Sequence, residues 1–328
     1  MAVIAMRCGC AITLYAEGEV SHFAQEENPG RQGRNSIVSM KTMGGRQFWG
    51  DVSFFRGWRI QQNVFTGHYR LLDEKDRRHA IGSREFCKES LEKAKREHKL
   101  QAMSGTAVVL IHGIIRSSKS FHQLKHQLQQ AGYLVVVFDY PSTRVDIQRA
   151  AGYLHETLES LDGIETIHLV VHSMGGLVVR AFLAEHEDRR IERMVMMGVP
   201  NLGAQLADQL KNRWLYKTVF GPAGQQLGRD PAGWISQLPI PDFEFAIIAG
   251  GRGPNSNGFN PILEGDDDGT VTVESTRLPG ATDFILVGCP HSFLMAHEDA
   301  TAATIRFLQS GAFRSGGARE PIRASLGK

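Results

Sequence analysis

From Thr106 onward, short apolar runs alternate with mixed polar and apolar stretches. Ala107-Val108-Val109-Leu110-Ile111 is continuously apolar, the pattern of a strand buried on both faces of a parallel sheet. A helical pattern follows over about 118–131 and ends at Gly132. Leu134-Val135-Val136-Val137-Phe138 is the next strand, and a helix is expected over about 145–160. Ile167-His168-Leu169-Val170-Val171 is the third strand, followed by a helix from Gly175 to His186. Met194 to Met197, Phe245 to Ile248 and Phe284 to Val287 add three more strands, and a last helix is expected over about 297–309. Strands alternating with helices in this way predict an α/β fold, a mostly parallel sheet with helices on both faces.

The pattern before Thr106 differs. Trp58, Ile60 and Val64 are set against Arg59, Gln61 and Asn63 in a period-two alternation. Thr66-Gly67-His68 reads as a turn and Tyr69 to Leu72 as a returning strand, a small antiparallel β element. A helix is expected from Arg84 to Leu100, with Ser83 as its N-cap and Cys87, Leu91 and Ala94 on its apolar face. Residues 1–46, with Arg31 to Ser36 and Gly44-Gly45-Arg46, read as a flexible leader. The expected organisation is therefore leader 1–46, β element and helix 47–104, main domain 105–313 and flexible tail 314–328. Within the main domain, about 201–241 breaks the rhythm with a polar helix, then Trp214, Leu215, Tyr216 and Phe220, then a Gly/Pro-rich stretch. A long insertion of this kind reads as a cap.

Composition adds exclusions. Of the 328 residues, 42% are hydrophobic and 22% charged, so a substantial core is expected. A net charge of +2 gives no reason to expect nucleic acid or an anionic membrane as a partner. Four scattered cysteines with no CxxC pair argue against a disulfide framework or a cysteine zinc site. No stretch reaches the ~20 apolar residues of a membrane span. Met1 to Tyr15 lacks the basic start of a signal peptide, so the cytoplasm is the expected compartment. The oligomeric state is left open.

The chemistry centres on Val170-Val171-His172-Ser173-Met174-Gly175-Gly176. A buried strand ends here and a helix begins at once. Ser173 lies in the sharp turn between them, with its oxygen above the strand ends and close to the helix N-terminus. The Met174 N–H is free to donate to a developing oxyanion. Gly175 and Gly176 allow the tight turn and close helix packing. The segment resembles the nucleophile elbow of α/β-hydrolases, in the His-Ser-Met-Gly-Gly form of bacterial lipases and esterases. It departs from the Gly-x-Ser-x-Gly pattern at Val171, whose side chain is expected to crowd the turn. Leu110-Ile111-His112-Gly113-Ile114-Ile115 resembles the His-Gly-x oxyanion loop of lipases, with the Ile114 N–H as second donor. His112 is read as support for that loop, with a base role as the alternative.

The resemblance extends to Gly265, Asp268 and Val271, which match the family's G-x-x-D-x-x-V setting for the triad acid. Asp268 would orient the histidine. The three adjacent aspartates also raise a metal reading, but no EF-hand spacing is present, so Asp266 and Asp267 are read as solvated loop charges or turn caps. Cys289-Pro290-His291 follows the last strand, where this fold carries its general base. His291 is the candidate, with His297 at the start of the last helix as competitor. His172 is read as pointing away from the pocket by strand alternation. The order Ser173, Asp268, His291 is the order of the α/β-hydrolase triad.

Gly198-Val199-Pro200-Asn201-Leu202-Gly203 is similar to the Pro-Asn-x-Gly segment near the site of lipase-like members. Trp214, Leu215, Tyr216, Phe220 and Trp234 either line an acyl pocket or pack the cap onto the core. The resemblance, over about 105–310, implies a serine hydrolase cleaving carboxylic esters through an acyl-enzyme. Its partner would be a small acyl-ester or lipid-like substrate, with no cofactor and no metal. A thioesterase, amidase or acyltransferase with the same triad, and a non-catalytic binding module on this fold, are the alternatives.

Overall fold

Two sheets organise residues 35–37, 40–41, 45–210, 212–229, 233–253 and 256–323, which the computed structural model describes. The first is antiparallel. It comprises β1 (Met40–Lys41), β2 (Trp49–Phe55), β3 (Trp58–Asn63), β4 (Tyr69–Leu72) and β5 (Arg77–Gly82), in the order β1-β5-β4-β3-β2. Only β3 and β4 were legible in the pattern. In β2, Gly50 and Asp51 interrupt the apolar alternation for tertiary reasons. Gly50 lies against the Tyr153 ring, and Asp51 is buried beneath Gln61 and Asp139. Helix α1 (Arg84–Glu97) packs on β4 and β5, with Cys87, Leu91 and Ala94 buried. Its N-cap is Ser83, whose Oγ accepts from Phe86 N–H at 3.2 Å.

Most of the expected leader, 1–34, 38–39 and 42–44, lies outside the described residues. Where it is described it is bound to the sheet. Met40–Lys41 pairs with Arg77–Arg78, Ser36 bridges Ile81, and Arg46 forms ion pairs with Asp76 and Asp139. The expected boundary at residue 46 thus falls inside this structural unit.

The second sheet is parallel throughout, in the order β11-β10-β9-β8-β6-β7. Its strands are β6 (Gly105–Ile111), β7 (Leu134–Phe138), β8 (Ile164–His172), β9 (Ile191–Met197), β10 (Glu244–Gly250) and β11 (Asp283–Val287). Alternate residues feed two separate cores, as a period-two strand requires. Val109, Ile111, Leu169, Val171, Met194 and Met196 face one side; Val108, Leu110, Val170, Val195 and Met197 face the other. Helices α3 (Ile147–Glu159) and α4 (Met174–Glu185) cover the first side, together with the N-terminal sheet. Helices α2 (His122–Gln130) and α9 (Glu298–Ser310) cover the second.

The insertion holds α5 (Gln205–Leu210), α6 (Trp214–Gln225) and α7 (Trp234–Gln237), and a one-turn helix α8 (Val273–Thr276) precedes β11. Helix α6 is broken at Gly221, whose φ of 61° and ψ of −157° are non-helical. The expected flexible tail is docked over 314–322: Arg314 pairs with buried Asp283, and Ile322 N–H donates to Ala281 O at 2.9 Å. Residues 324–328 lie outside the described residues. Among the described residues, no helix is long and apolar enough to cross a membrane.

Candidate active site

Ser173 alone separates the end of β8 from the start of α4. Its φ of 54° and ψ of −130° lie where side-chain-bearing residues are strained. The turn closes only because of the glycines after it. A Cβ on Gly175 would stand 2.5 Å from Ile111 O and 2.8 Å from His112 O, and one on Gly176 would stand 2.5 Å from the Val199 side chain. Val171 lies inside β8, paired with Ile111 and Met196, and its side chain enters the α3/α4 core. The crowding expected at that position is absorbed there.

The structure brings the three sequence-predicted side chains into one chain of hydrogen bonds. Ser173 Oγ donates to His291 Nε2 at 3.0 Å. His291 Nδ1–H donates to Asp268 Oδ2 at 2.6 Å. Asp268 accepts only, which fixes the proton on Nδ1 and leaves Nε2 as the lone-pair nitrogen facing the serine. The other oxygen of Asp268 accepts from Thr270 N–H at 3.0 Å and Val271 N–H at 2.8 Å. Asp268 O also accepts from His291 N–H at 2.8 Å, so acid and base loops are tied by backbone as well. Gly198, with φ of 56°, makes room beneath the pair: a Cβ there would lie 3.1 Å from His291 Nδ1 and 3.2 Å from Asp268 Oδ2.

The predicted oxyanion donors lie on the flanking turns. Met174 N–H is the first of α4, and Ile114 follows the Gly113 that packs on Ser173 Cβ. Among the described residues neither N–H has a protein acceptor, whereas Ile115 N–H is spent on Ser142 Oγ at 3.1 Å. His112 is buried in the loop's support. Its Nδ1–H donates to Gly113 O at 2.8 Å, its ring stacks on Tyr140 at 4.4 Å, and Tyr140 OH donates to His112 O at 2.7 Å. Burial holds its pKa below that of a free imidazole, against the pull of Asp139.

Three residues at the site were not anticipated. His172 does not point clear of it: its Nε2–H donates to His291 O at 3.0 Å. Arg116, on the oxyanion loop, donates to Ser292 Oγ beside His291. Gln47 reaches the same loop from the N-terminal sheet. Arg116 and Gln47 carry no sequence signal, and His172, although part of the His-Ser-Met-Gly-Gly motif, meets His291 only across a gap of many residues.

Asp266 and Asp267 are turn caps, but Asp267 is not solvated. Asp266 accepts from Arg252 and Gly253 N–H at 2.7 and 2.9 Å. Asp267 is fully buried and accepts from Asn260 and Gly269 N–H at 3.0 and 2.6 Å. Among the described residues, no group of three or more His, Cys, Asp or Glu is placed to hold a metal ion. His297 is the N-cap residue of α9. In the cap, Phe220 and Trp234 are half-buried against the core, whereas Trp214 is 71% exposed and lines no enclosed wall. The side chains of Leu215 and Tyr216 lie outside the described residues.

Comparison with known proteins places these features in context. A family model described as a domain of unknown function, DUF7379, matches residues 77–221. The lysosomal thioesterase PPT2 of Mus musculus is 26% identical over 196 residues, covering 50% of this chain and 64% of that protein. The chain thus spans just under two thirds of the length of these thioesterases. A putative non-heme chloroperoxidase of Synechocystis is 31% identical over 257 residues, covering 63% of this chain and 92% of that protein. In fold, the propeptide form of Bacillus licheniformis lipase BlEst2 superposes with a TM-score of 0.50 at 20% identity, over 66% of this chain and 52% of that one.

Proposed function

This chain belongs to the α/β-hydrolase superfamily, and on that premise we propose that it is a serine hydrolase cleaving carboxylic esters through an acyl-enzyme. The observation that carries the reading is the continuous Ser173–His291–Asp268 hydrogen-bond chain, with distances of 3.0 and 2.6 Å.

Ser173 Oγ attacks the acyl carbonyl while His291 Nε2 takes its proton. Asp268 holds the ring and stabilises the imidazolium that forms. The Ile114 and Met174 N–H groups bind the oxyanion of the tetrahedral intermediate. The imidazolium then protonates the leaving alkoxide, the acyl-enzyme forms, and water attacks it with His291 as base. The substrate is a small acyl-ester or lipid-like molecule. The cytoplasm remains the proposed compartment, supported by two free buried thiols, Cys87 and Cys289.

The test is hydrolysis of short p-nitrophenyl esters by the purified chain, with fluorophosphonate labelling at Ser173. Ser173→Ala should lose at least about 10⁴-fold in kcat; undiminished turnover by that variant would refute the reading. A thioester substrate is the second reading, favoured by the similarity to the PPT2 thioesterases. Matched ester, thioester and amide substrates separate the two.

A further inference from the structure

We propose that Gln47, in the 3-10 turn that leads into β2 of the N-terminal sheet, is a positioning residue that holds the oxyanion loop in register. The inference rests on the reading of Ile114 as an oxyanion donor of an ester hydrolase.

The oxyanion loop needs an external constraint. Ile115 has a φ of 61°, a conformation that β-branched residues avoid. Left alone, the loop would relax toward ordinary backbone and carry the Ile114 N–H with it. What pins Ile115 is the bond from its N–H to Ser142 Oγ at 3.1 Å. That bond exists only while the Ser142 hydroxyl turns its lone pairs toward Ile115, and Gln47 decides which way the hydroxyl turns. Ser142 Oγ–H donates to Gln47 Oε1 at 3.1 Å, which leaves its lone pairs for Ile115. The same Oε1 accepts from Thr143 N–H and Thr143 Oγ1–H, both at 3.2 Å. The other end of the amide completes the clamp: Gln47 Nε2–H donates to Arg116 O at 3.0 Å. One side chain therefore fixes residues 115, 116, 142 and 143 together, and Ile114 is covalently bound to the first of them.

The brace is anchored on both sides. Gln47 sits in a 3-10 turn whose neighbours are committed elsewhere: Arg46 pairs with Asp76 and Asp139, and Phe48 O accepts from Val64 N–H at 2.9 Å. On the far side, Thr143 O lies directly against Gly221, where α6 breaks. The N-terminal sheet thus has a role in catalysis without touching substrate: it supplies the rigid support from which the loop is held.

The test compares Gln47→Met with the wild-type chain on p-nitrophenyl butyrate and with a trifluoromethyl ketone, whose hemiketal with Ser173 uses the same oxyanion donors. Losing a donor costs about 10²- to 10³-fold, so displacing one is expected to lower kcat about 10- to 100-fold. KM should stay within about twofold, and ketone affinity should fall by the same factor as kcat/KM. If Gln47→Met does not fold, Ser142→Ala cuts the same path further along and should show the same kcat-only loss. Where both fold, the double variant should be no worse than the worse single one, because both break one path. Values of kcat and ketone affinity within twofold of wild type in the folded single variants, or multiplying losses in the double variant, overturn the proposal. A wild-type chain that cleaves no ester, or a Ser173→Ala variant as active as wild type, removes the underlying functional reading instead, so the two failures are distinguishable.

Discussion

His172 Nε2–H donates to the backbone carbonyl of His291 at 3.0 Å, and the two rings lie 4.6 Å apart. Strand alternation turns His172 away from the α4 side, but the loop carrying His291 descends over the opposite face, where Leu294 and Met295 enter the α2/α9 core. Burial pushes the His172 pKa well below that of a free imidazole, and the neighbouring His291 adds to the effect. The ring therefore stays neutral and brings no repulsion when His291 takes up a proton. Replacing His172 by Phe keeps the volume but leaves the His291 carbonyl without its donor. The expected result is a loss of about 10-fold in kcat and about 1–2 kcal/mol of stability. Steady-state kinetics with a urea titration checks both, and an unchanged kcat would remove His172 from the positioning of the base.

The strain at Ser173 predicts a trade-off. A residue with a Cβ at φ 54° and ψ −130° costs on the order of 1–3 kcal/mol, and glycine escapes that cost. Ser173→Gly should be inactive yet more stable than Ser173→Ala by about 1 kcal/mol. Thermal midpoints of the two variants test this directly. An alanine variant at least as stable as the glycine one would show that the turn is not strained.

The central sheet was legible because its strands are buried on both faces, so Val108 to Ile111 and Val135 to Phe138 read as apolar runs whatever lies around them. Ser173, Asp268 and His291 were placeable because each sits in a segment that resembles an α/β-hydrolase motif, and their order along the chain is that of the family's triad. The N-terminal sheet was only half legible. Asp51, Arg59, Gln61 and Arg70 are buried in a polar network that looks like surface in the sequence. Arg46 and Arg314 fall in stretches expected to be flexible, yet each is held by a buried aspartate that no local pattern announces. Gln47, Ser142 and Arg116 acquire their roles from pairings between distant segments, which periodicity does not encode.

Asp283 makes the tail's role measurable. Its carboxylate is fully buried and accepts from Phe284 N–H, Phe313 N–H, Arg314 Nη1 and Glu320 N–H, all within 2.9 Å. Ending the chain after Phe313 removes two of these four donors, one of them the charged partner. A buried carboxylate stripped of its cation costs several kcal/mol at most, so a loss of about 2–3 kcal/mol is expected. Arg314→Ala alone should account for most of it. A truncated chain with an unchanged urea midpoint would mean that the tail contributes nothing to Asp283.

The buried acids Asp51 and Asp139 give a pH signature. Burial raises Asp51 to about 6, against the pull of Arg59 and with the Asp139 charge adding to the rise. For Asp139, burial also pushes upward, but Arg59, His112 and Arg46 outweigh it and hold the group at about 2. The signs are opposite. From about pH 4 to 6 the unfolded chain has released the Asp51 proton while the folded chain keeps it, so this group's contribution to stability falls as pH rises. The stabilisation from Asp139 is complete above about pH 4 and is lost as pH falls toward 2. Asp51→Asn cannot titrate. Its stability relative to wild type should climb between pH 4 and 7 by on the order of 2–3 kcal/mol, on top of a constant penalty for the weakened bond to Asp139 N–H. Groups distant from Asp51 cancel in the difference, and Asp139, held at about 2, is ionised throughout that range. Urea midpoints measured across that range decide the matter: curves that stay parallel would show that Asp51 does not carry the titration.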